Sequence, residues 1–509
     1  MEPELDEGVP YGRQLTIRAE TDPFGPALTV IGRDGGDEQT LSWAALERLA
    51  NQWARVLQNS GATPESFVAL SVPNSVELVA AALATWKIGA VPIPMRWDLP
   101  DWEHQRLLDV ISPAFVLSED NVTELAAAAA TQDDSALLDI VSPAVNGICS
   151  SGSTGLPKII LNTAPALWTP EKAQPFMAQW TPVDAPQVIL VPAPMYHTNG
   201  FGTLNYLLGG DRLIVLEKFD AGQVLDAIER HRVTATAVVP TIIYLLLDDR
   251  RRADYDIDSL LTVIYAGAPM APERLRQALD TFGPIFIQTY AGTEQGYLSC
   301  LRKHEHRAEP GESQQDWVAR LASAGRPMFG VQVSIQDETD TVLPVGEVGE
   351  ICSRQLGQML GYLDPARDAE TLRGGWVHTG DVGRLDENGY LYLVDRKRDM
   401  VVSGGFNVFP RQVEDALCSH GTVAQAAVIG IPHEKWGEAV LAVVVARPGE
   451  LTGPDLETEL IQHVKVALGS VAAPKQILFT DALPLNPAGK VDKKAIRKPY
   501  WQNQTRQVG

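Results

Sequence analysis

Stretches with helical apolar spacing alternate with short apolar runs along most of this chain, and that alternation constrains its fold more than any other feature. "LSWAALERLANQWARVLQNSG" (41–61) has apolar residues at helical spacing and stops at Gly61. "SFVALSVPNS" then reads as a buried strand and turn, and "VELVAAALATWKIGAVPIPM" as helix, glycine stop and strand. The same grammar returns at "VILVPAPM", "DRLIVLEKF", "AGQVLDAIERHRVTATAVVP" and "LLTVIYAGAPM". Such alternation implies an α/β fold, a largely parallel sheet covered by helices. Ligands of such sheets collect at the carboxyl ends of the strands.

From about Val345 the pattern changes. "VGEVGEICSR" and "GYLYLVD" read as short strands of a small β subdomain. "DRKRD" (395–399) reads as a solvated turn or a linker. Residues 396–509 carry strand and helix patterns of their own and are long enough for a separate domain. The expected division is therefore 1–395 and 396–509. The Ala run at 126–130 reads as a solvated helix. The polar stretch 303–317, "KHEHRAEPGESQQDW", reads as a surface connection.

Composition narrows the function. The net charge is −22, from 64 acidic and 42 basic residues, which argues against a nucleic-acid partner. The four cysteines, Cys149, Cys300, Cys352 and Cys418, form no CxxC and no zinc spacing, so neither a disulfide framework nor a structural metal is indicated. The N-terminus lacks an apolar core, and no run of 18 apolar residues exists. The expectation is a cytoplasmic protein with no membrane span.

The chemistry starts at "CSSGSTGLPKII" (149–160), after the short strand candidate "AVNGIC". Consecutive small residues let backbone N–H groups point into one concavity, hydroxyls add donors, and a lysine adds charge. That is a phosphate cradle. The GxxxxGK[ST] pattern of P-loop NTPases fails here, because Leu156 and Pro157 separate Gly155 from Lys158. Taken singly, the loop also reads as a surface turn. "PAPMYHTNG" puts His197 after a strand, where a lone histidine is usually structural. "TYAGTEQG" sets Tyr290, Thr293 and Glu294 together: an aromatic to stack, a hydroxyl for phosphate, a carboxylate for magnesium. "HTGDVGRLDENGYLYLVDRKRD" adds Asp381, suited to ribose hydroxyls. "SGGFNVFP" (403–410) adds paired glycines, where a thin ligand could approach backbone closely. "PLNPAGKVDKKAIRK" (484–498) puts Lys490 in a tight turn near the C-terminus.

These six stretches, in this order, resemble the adenylate-forming superfamily of acyl- and aryl-CoA synthetases, peptide-synthetase adenylation domains and beetle luciferases. The resemblance runs from about residue 40 to 498, and its signature [ST]SG[ST]TGxPK is met by Ser150–Lys158. It implies a large N-terminal domain of layered sheets and a small, mobile α+β C-terminal domain. It also implies ATP and magnesium, with CoA as co-substrate. A carboxylate first attacks the α-phosphate of ATP, releasing pyrophosphate. A thiol then attacks the acyl carbon and releases AMP. The resemblance assigns Ser151, Gly152, Ser153, Thr154, Gly155 and Lys158 to the phosphates. Tyr290, Gly267, Ala268 and Pro269 go to the adenine, and Asp381 and Arg396 to the ribose. Thr293 goes to the α-phosphate, Glu294 to magnesium, Lys490 to the adenylation transition state and His197 to the reacting carboxylate. Asp395 matches the hinge, and Gly404 and Gly405 the pantetheine tunnel. Homodimers are frequent in the family.

Three positions depart from the family pattern. Ala291 follows the aromatic where glycine is usual, Ile159 follows the loop lysine where glycine is common, and Gln412 replaces an acid. The first two bear on ATP use. Trp168, Trp180, Tyr196, Phe201, Tyr265 and Tyr297 are candidate pocket walls, which favours a bulky apolar acid: aromatic, steroid-like, terpenoid or medium-to-long acyl. Three rivals stay open: a ligase that loads a carrier protein, an enzyme performing only the thioester half-reaction, and a ligand-binding protein that keeps the fold.

Overall fold

The computed structural model describes residues 8–150, 158–162, 166–168, 186–268, 270–397, 399–404, 406–486 and 490–501. Ser151–Gly155, Pro269, Gly405 and Trp180 lie outside the described residues.

The expected alternation is present. The helix Trp43–Asn59 starts at Ser42, whose hydroxyl accepts from the Ala45 N–H at 3.2 Å. It buries Leu46, Ala50, Trp53, Ala54 and Leu57, the i+3/i+4 stripe of an amphipathic helix. Gly61, with φ +93°, turns the chain after it. The helix Val76–Lys87 is buried on every side, as its run of alanines and apolar residues demands.

The main sheet has nine strands among the described residues. Its order is 326–327, 296–301, 286–292, 262–266, 235–238, 188–191, 212–216, 26–31, 38–42. The six strands from 286–292 to 26–31 are mutually parallel, and the edges are antiparallel. Helices Ala221–His231 and Pro272–Phe282 make the crossovers that parallel pairing requires. A parallel sheet of 91–94, 67–71 and 115–118 and an antiparallel one of 146–150, 158–162 and 361–362 complete the large layered region.

The β subdomain begins earlier than its sequence pattern does. Its strands are 332–336, 349–354, 376–385, 372–373 and 391–396. Beyond it, strands 406–408, 401–403, 437–446, 423–433 and 476–479 form a further sheet. Helices Pro410–Cys418 and Pro454–Leu468 bury Val413, Leu417, Leu460 and Val464 against Val401, Val428, Val440 and Ile477 in a core of its own.

The stretch 303–317 is a surface connection over most of its length, but two of its residues turn inward. Glu305 and His306 are buried. His306 Nδ1 lies 2.8 Å from the Arg302 carbonyl and Nε2 lies 3.1 Å from the Tyr265 hydroxyl. Burial lowers the His306 pKa to about 4, so the neutral ring donates at Nδ1 and accepts at Nε2. Polar composition hides this inward turn, because the two buried side chains have their polar groups paired.

No helix among the described residues is long and apolar enough to cross a membrane.

Candidate active site

The carboxyl ends of the parallel strands converge on one cleft. Strand 188–191 leads to His197. Strand 262–266 ends at Gly267 and Ala268. Strand 286–292 runs into the turn that carries Thr293 and Glu294 before the antiparallel return of 296–301. Strands 146–150 and 158–162 pair antiparallel, Ser150 opposite Lys158, and so flank the loop motif.

Lys490 reaches this cleft from the far end of the chain. A Cβ placed on Gly267 would lie 2.9 Å from its Cε and 3.1 Å from its Nζ. Its turn is closed by Asn486, whose Oδ1 accepts the Lys490 N–H at 3.0 Å and whose N–H donates to the Lys490 carbonyl at 2.7 Å. Gly267 has φ +81°, so a side chain there is excluded by backbone conformation as well as by the lysine. His197 senses the same ammonium: burial foremost, then Lys490 and Arg96, lowers its pKa to about 4. Its Nε2 is buried and has no hydrogen-bond partner among the described residues.

The polar groups on the other wall hold one another. The Tyr290 hydroxyl donates to Asp381 Oδ2 at 2.7 Å, and Arg396 Nε lies 3.3 Å from Asp381 Oδ1. Asp381 and Arg396 face each other in register on neighbouring strands. Burial, then Asp381, raises the Tyr290 pKa well above its ordinary value, so the hydroxyl stays a donor. The Tyr290 ring itself is buried in a cluster with Leu298, Ile335 and Ile351. Thr293 Oγ1 lies 3.3 Å from Thr198 Oγ1.

Tyr362 escaped the sequence reading. Its hydroxyl donates to Glu294 Oε1 at 3.2 Å and lies 2.9 Å from Thr371 Oγ1, while Lys158 Nζ sits 4.9 Å from its ring centroid. It thus joins the loop lysine to the carboxylate. Nothing local in "LGYLDP" signals this, because the partners are 68 residues apart. Magnesium that accompanies a nucleotide needs only one or two protein carboxylates beside phosphate oxygens and water, and Glu294 fits that demand.

The structure places two of the departures. Ile159 is buried among Ile93, Met95 and Ala144. Ala291 pairs with Tyr297 just after a register shift and has no positive φ, so its backbone does not require glycine.

Asp395 joins two regions. Its Oδ1 accepts the Arg396 N–H at 2.7 Å, and its Oδ2 accepts the Arg411 N–H at 3.0 Å, capping the helix Pro410–Cys418. Gly404 stands apart from the Lys490 turn. It has φ +60° and donates to the Trp436 carbonyl at 2.8 Å.

A small cleft lies between the sheet face and the segment 199–206. Tyr206, Ala237, Ile264, Ala266, Thr289 and Tyr297 line it. Of the aromatic candidates, Tyr297 is there. Phe201 and Tyr265 are core residues, 1% and 0% exposed, and Trp168 packs against the N-terminal core. Tyr196 lies beside His197, with ring centroids 4.5 Å apart. Tyr206 and Thr289 were not anticipated: Tyr206 sits in no motif, and Thr289 opens "TYAGTEQG" ahead of the residues read for nucleotide chemistry.

Residues 16–363 match the family model "AMP-binding enzyme", and residues 412–490 match "AMP-binding enzyme C-terminal domain". The chain belongs to the AMP-binding enzyme family, in the adenylate-forming superfamily and on its acyl-CoA synthetase branch. It is 42% identical to the medium/long-chain-fatty-acid–CoA ligase FadD8 of Mycobacterium tuberculosis, over 71% of this chain and 62% of that ligase. It is 31% identical to the fatty acid–[acyl-carrier-protein] ligase ScoC of Streptomyces coeruleorubidus, over 97% of each. Among solved structures, the amide bond synthetase McbA of Marinactinospora thermotolerans superposes with a TM-score of 0.81 at 29% identity, over 96% of this chain and 99% of that one. These three relatives bear names with three different acyl acceptors.

Proposed function

We propose that the chain is an ATP-dependent acyl-CoA ligase acting through an acyl-AMP. The observation that carries the reading is Lys490 seated over Gly267, the residue after Ala266 of the cleft wall. A carboxylate is a poor electrophile, because its charge repels nucleophiles and oxide leaves badly. Conversion to a mixed anhydride with AMP removes both faults. That step joins two anions, so it needs fixed positive charge at the α-phosphate. Lys490 would supply it, with Thr293 donating to the same phosphate. Ser151–Gly155 and Lys158 would hold the outgoing pyrophosphate, and Glu294 the magnesium. Asp381 and Arg396 would bind the ribose. Gly267, Ala268 and Pro269 would line the adenine site beside Tyr290. His197, neutral at pH 7, would border the reacting carboxylate without adding charge.

In this reading residues 1–395 and 396–509 are two domains, with Asp395 as the hinge. Rotation withdraws Lys490 and brings Gly404 and Gly405 to the cleft, where the thiol of CoA attacks the acyl carbon and AMP leaves. The acyl group has a bulky, mostly apolar body, matching walls such as Ala237, Val238 and Ile264. The carrier-protein reading keeps one specific support, the end-to-end similarity to ScoC.

Pyrophosphate release over a panel of acids, with CoA present and absent, tests this. Aryl and medium-chain acids should exceed acetate by orders of magnitude in kcat/KM. AMP release that needs an acyl carrier protein would shift the acceptor. Turnover of supplied acyl-AMP alone would leave only the thioester half-reaction.

A further inference from the structure

The acyl cleft contains a hydrogen-bonding group that the rest of the described chain does not use. Thr289 is 2% exposed and lines the cleft, yet its Oγ1 has no partner among the described residues. Other buried threonines are satisfied. Thr236 Oγ1 donates to the Leu190 carbonyl at 2.9 Å, and Thr203 Oγ1 to the Gly200 carbonyl at 2.6 Å. A hydroxyl removed from water without a partner destabilises the fold, so native proteins rarely keep one without a use.

Its position says what the partner is. Thr289 faces Ala266 in the parallel register, and Ala266 precedes Gly267, the residue beneath Lys490. Strand spacing and rise put Thr289 on the order of 6 Å from Gly267. That is the reacting end of the cleft. The inner walls are apolar at Ala237 and Ile264 and aromatic at Tyr206 and Tyr297.

Resting on the ligase reading above, we propose that the acid carries a hydroxyl, carbonyl or amide group within three carbons of its carboxyl, and that this group pairs with Thr289 Oγ1. The remainder of the acid is apolar. Thr289 is then a specificity residue that separates oxygenated acids from plain ones of equal length. A site that hydrogen-bonds its substrate discriminates strongly against an analogue lacking the group, because the buried partner is left unpaired.

The test compares octanoate with 3-hydroxy-, 3-oxo- and 8-hydroxyoctanoate by pyrophosphate release. Wild type should favour the 3-oxygenated acids over octanoate by about tenfold or more in kcat/KM. The distal 8-hydroxyl should confer no such gain. Thr289→Val, which keeps the shape, should collapse the ratio of oxygenated to plain acid toward unity, and Thr289→Ser should retain it. Equal preference for octanoate in wild type, or a ratio unchanged in Thr289→Val, overturns the proposal and leaves the ligase reading intact. Silence with every acid overturns the ligase reading itself, and this inference with it. The wild-type preference decides the matter even where a variant fails to fold.

Discussion

The proposed nucleotide wall and the proposed acyl cleft share strands but treat their polar groups in opposite ways. On the nucleotide wall Tyr290, Asp381 and Arg396 bind one another, and Tyr362 holds Glu294. Thr289 Oγ1, in the cleft, and His197 Nε2 are buried without partners among the described residues. A site whose groups are already paired holds its geometry before any ligand arrives, which suits a ligand common to a whole family. A site with unpaired groups leaves them for a particular ligand to satisfy, which suits selection among acids.

Lys490 joins the two walls, so its removal should have the largest effect. Lys490→Ala should lower acyl-AMP formation from acid and ATP by roughly 10²- to 10³-fold, by analogy with the loss of one oxyanion donor. Supplied acyl-AMP plus CoA should still yield thioester near the wild-type rate, because the proposed rotation takes the lysine out of the cleft for that step. Equal losses in both halves would show that the lysine serves the fold of the cleft rather than adenylation.

A smaller effect is expected on the nucleotide wall alone. Tyr362→Phe keeps the ring beneath Lys158 and deletes the hydroxyl that donates to Glu294. The magnesium concentration for half-maximal turnover should rise about tenfold, the weight of one hydrogen bond to a charged group. A fall in kcat at unchanged magnesium dependence would assign Tyr362 to general packing instead.

His197 should leave its mark on stability rather than on turnover. Its pKa is near 4 in the folded chain against an ordinary 6.5. Between these values the unfolded chain takes up a proton that the folded site refuses. Stability therefore falls as pH drops from 6.5 toward 4, by at most about 1.4 kcal/mol per pH unit from this group, and the loss levels off below 4. Denaturant midpoints across that window should be flatter in His197→Gln than in wild type. Some slope should persist, because His306 is also held near 4 by burial. Parallel profiles for the two proteins would contradict a buried, neutral His197.

The α/β class was legible because helical and strand periodicities are local properties of a few residues. "LSWAALERLANQWARVLQNSG" states both its helix and its stop. The motif residues Thr293, Glu294, Asp381 and Lys490 were legible for a related reason: each lies in a short run of distinctive composition. Tyr362 and Thr289 were not, because their meaning depends on partners or cavities far away in sequence. Tyr265 and Phe201 failed in the opposite direction. An aromatic near a motif reads as a pocket wall, but which face of a strand or helix it occupies is decided by packing. His306 shows the same limit in a polar stretch. Local composition determined the classes of element and singled out the candidate nucleotide residues. Only the tertiary structure decided which of two faces each side chain takes, and therefore which buried groups were left unpaired among the described residues.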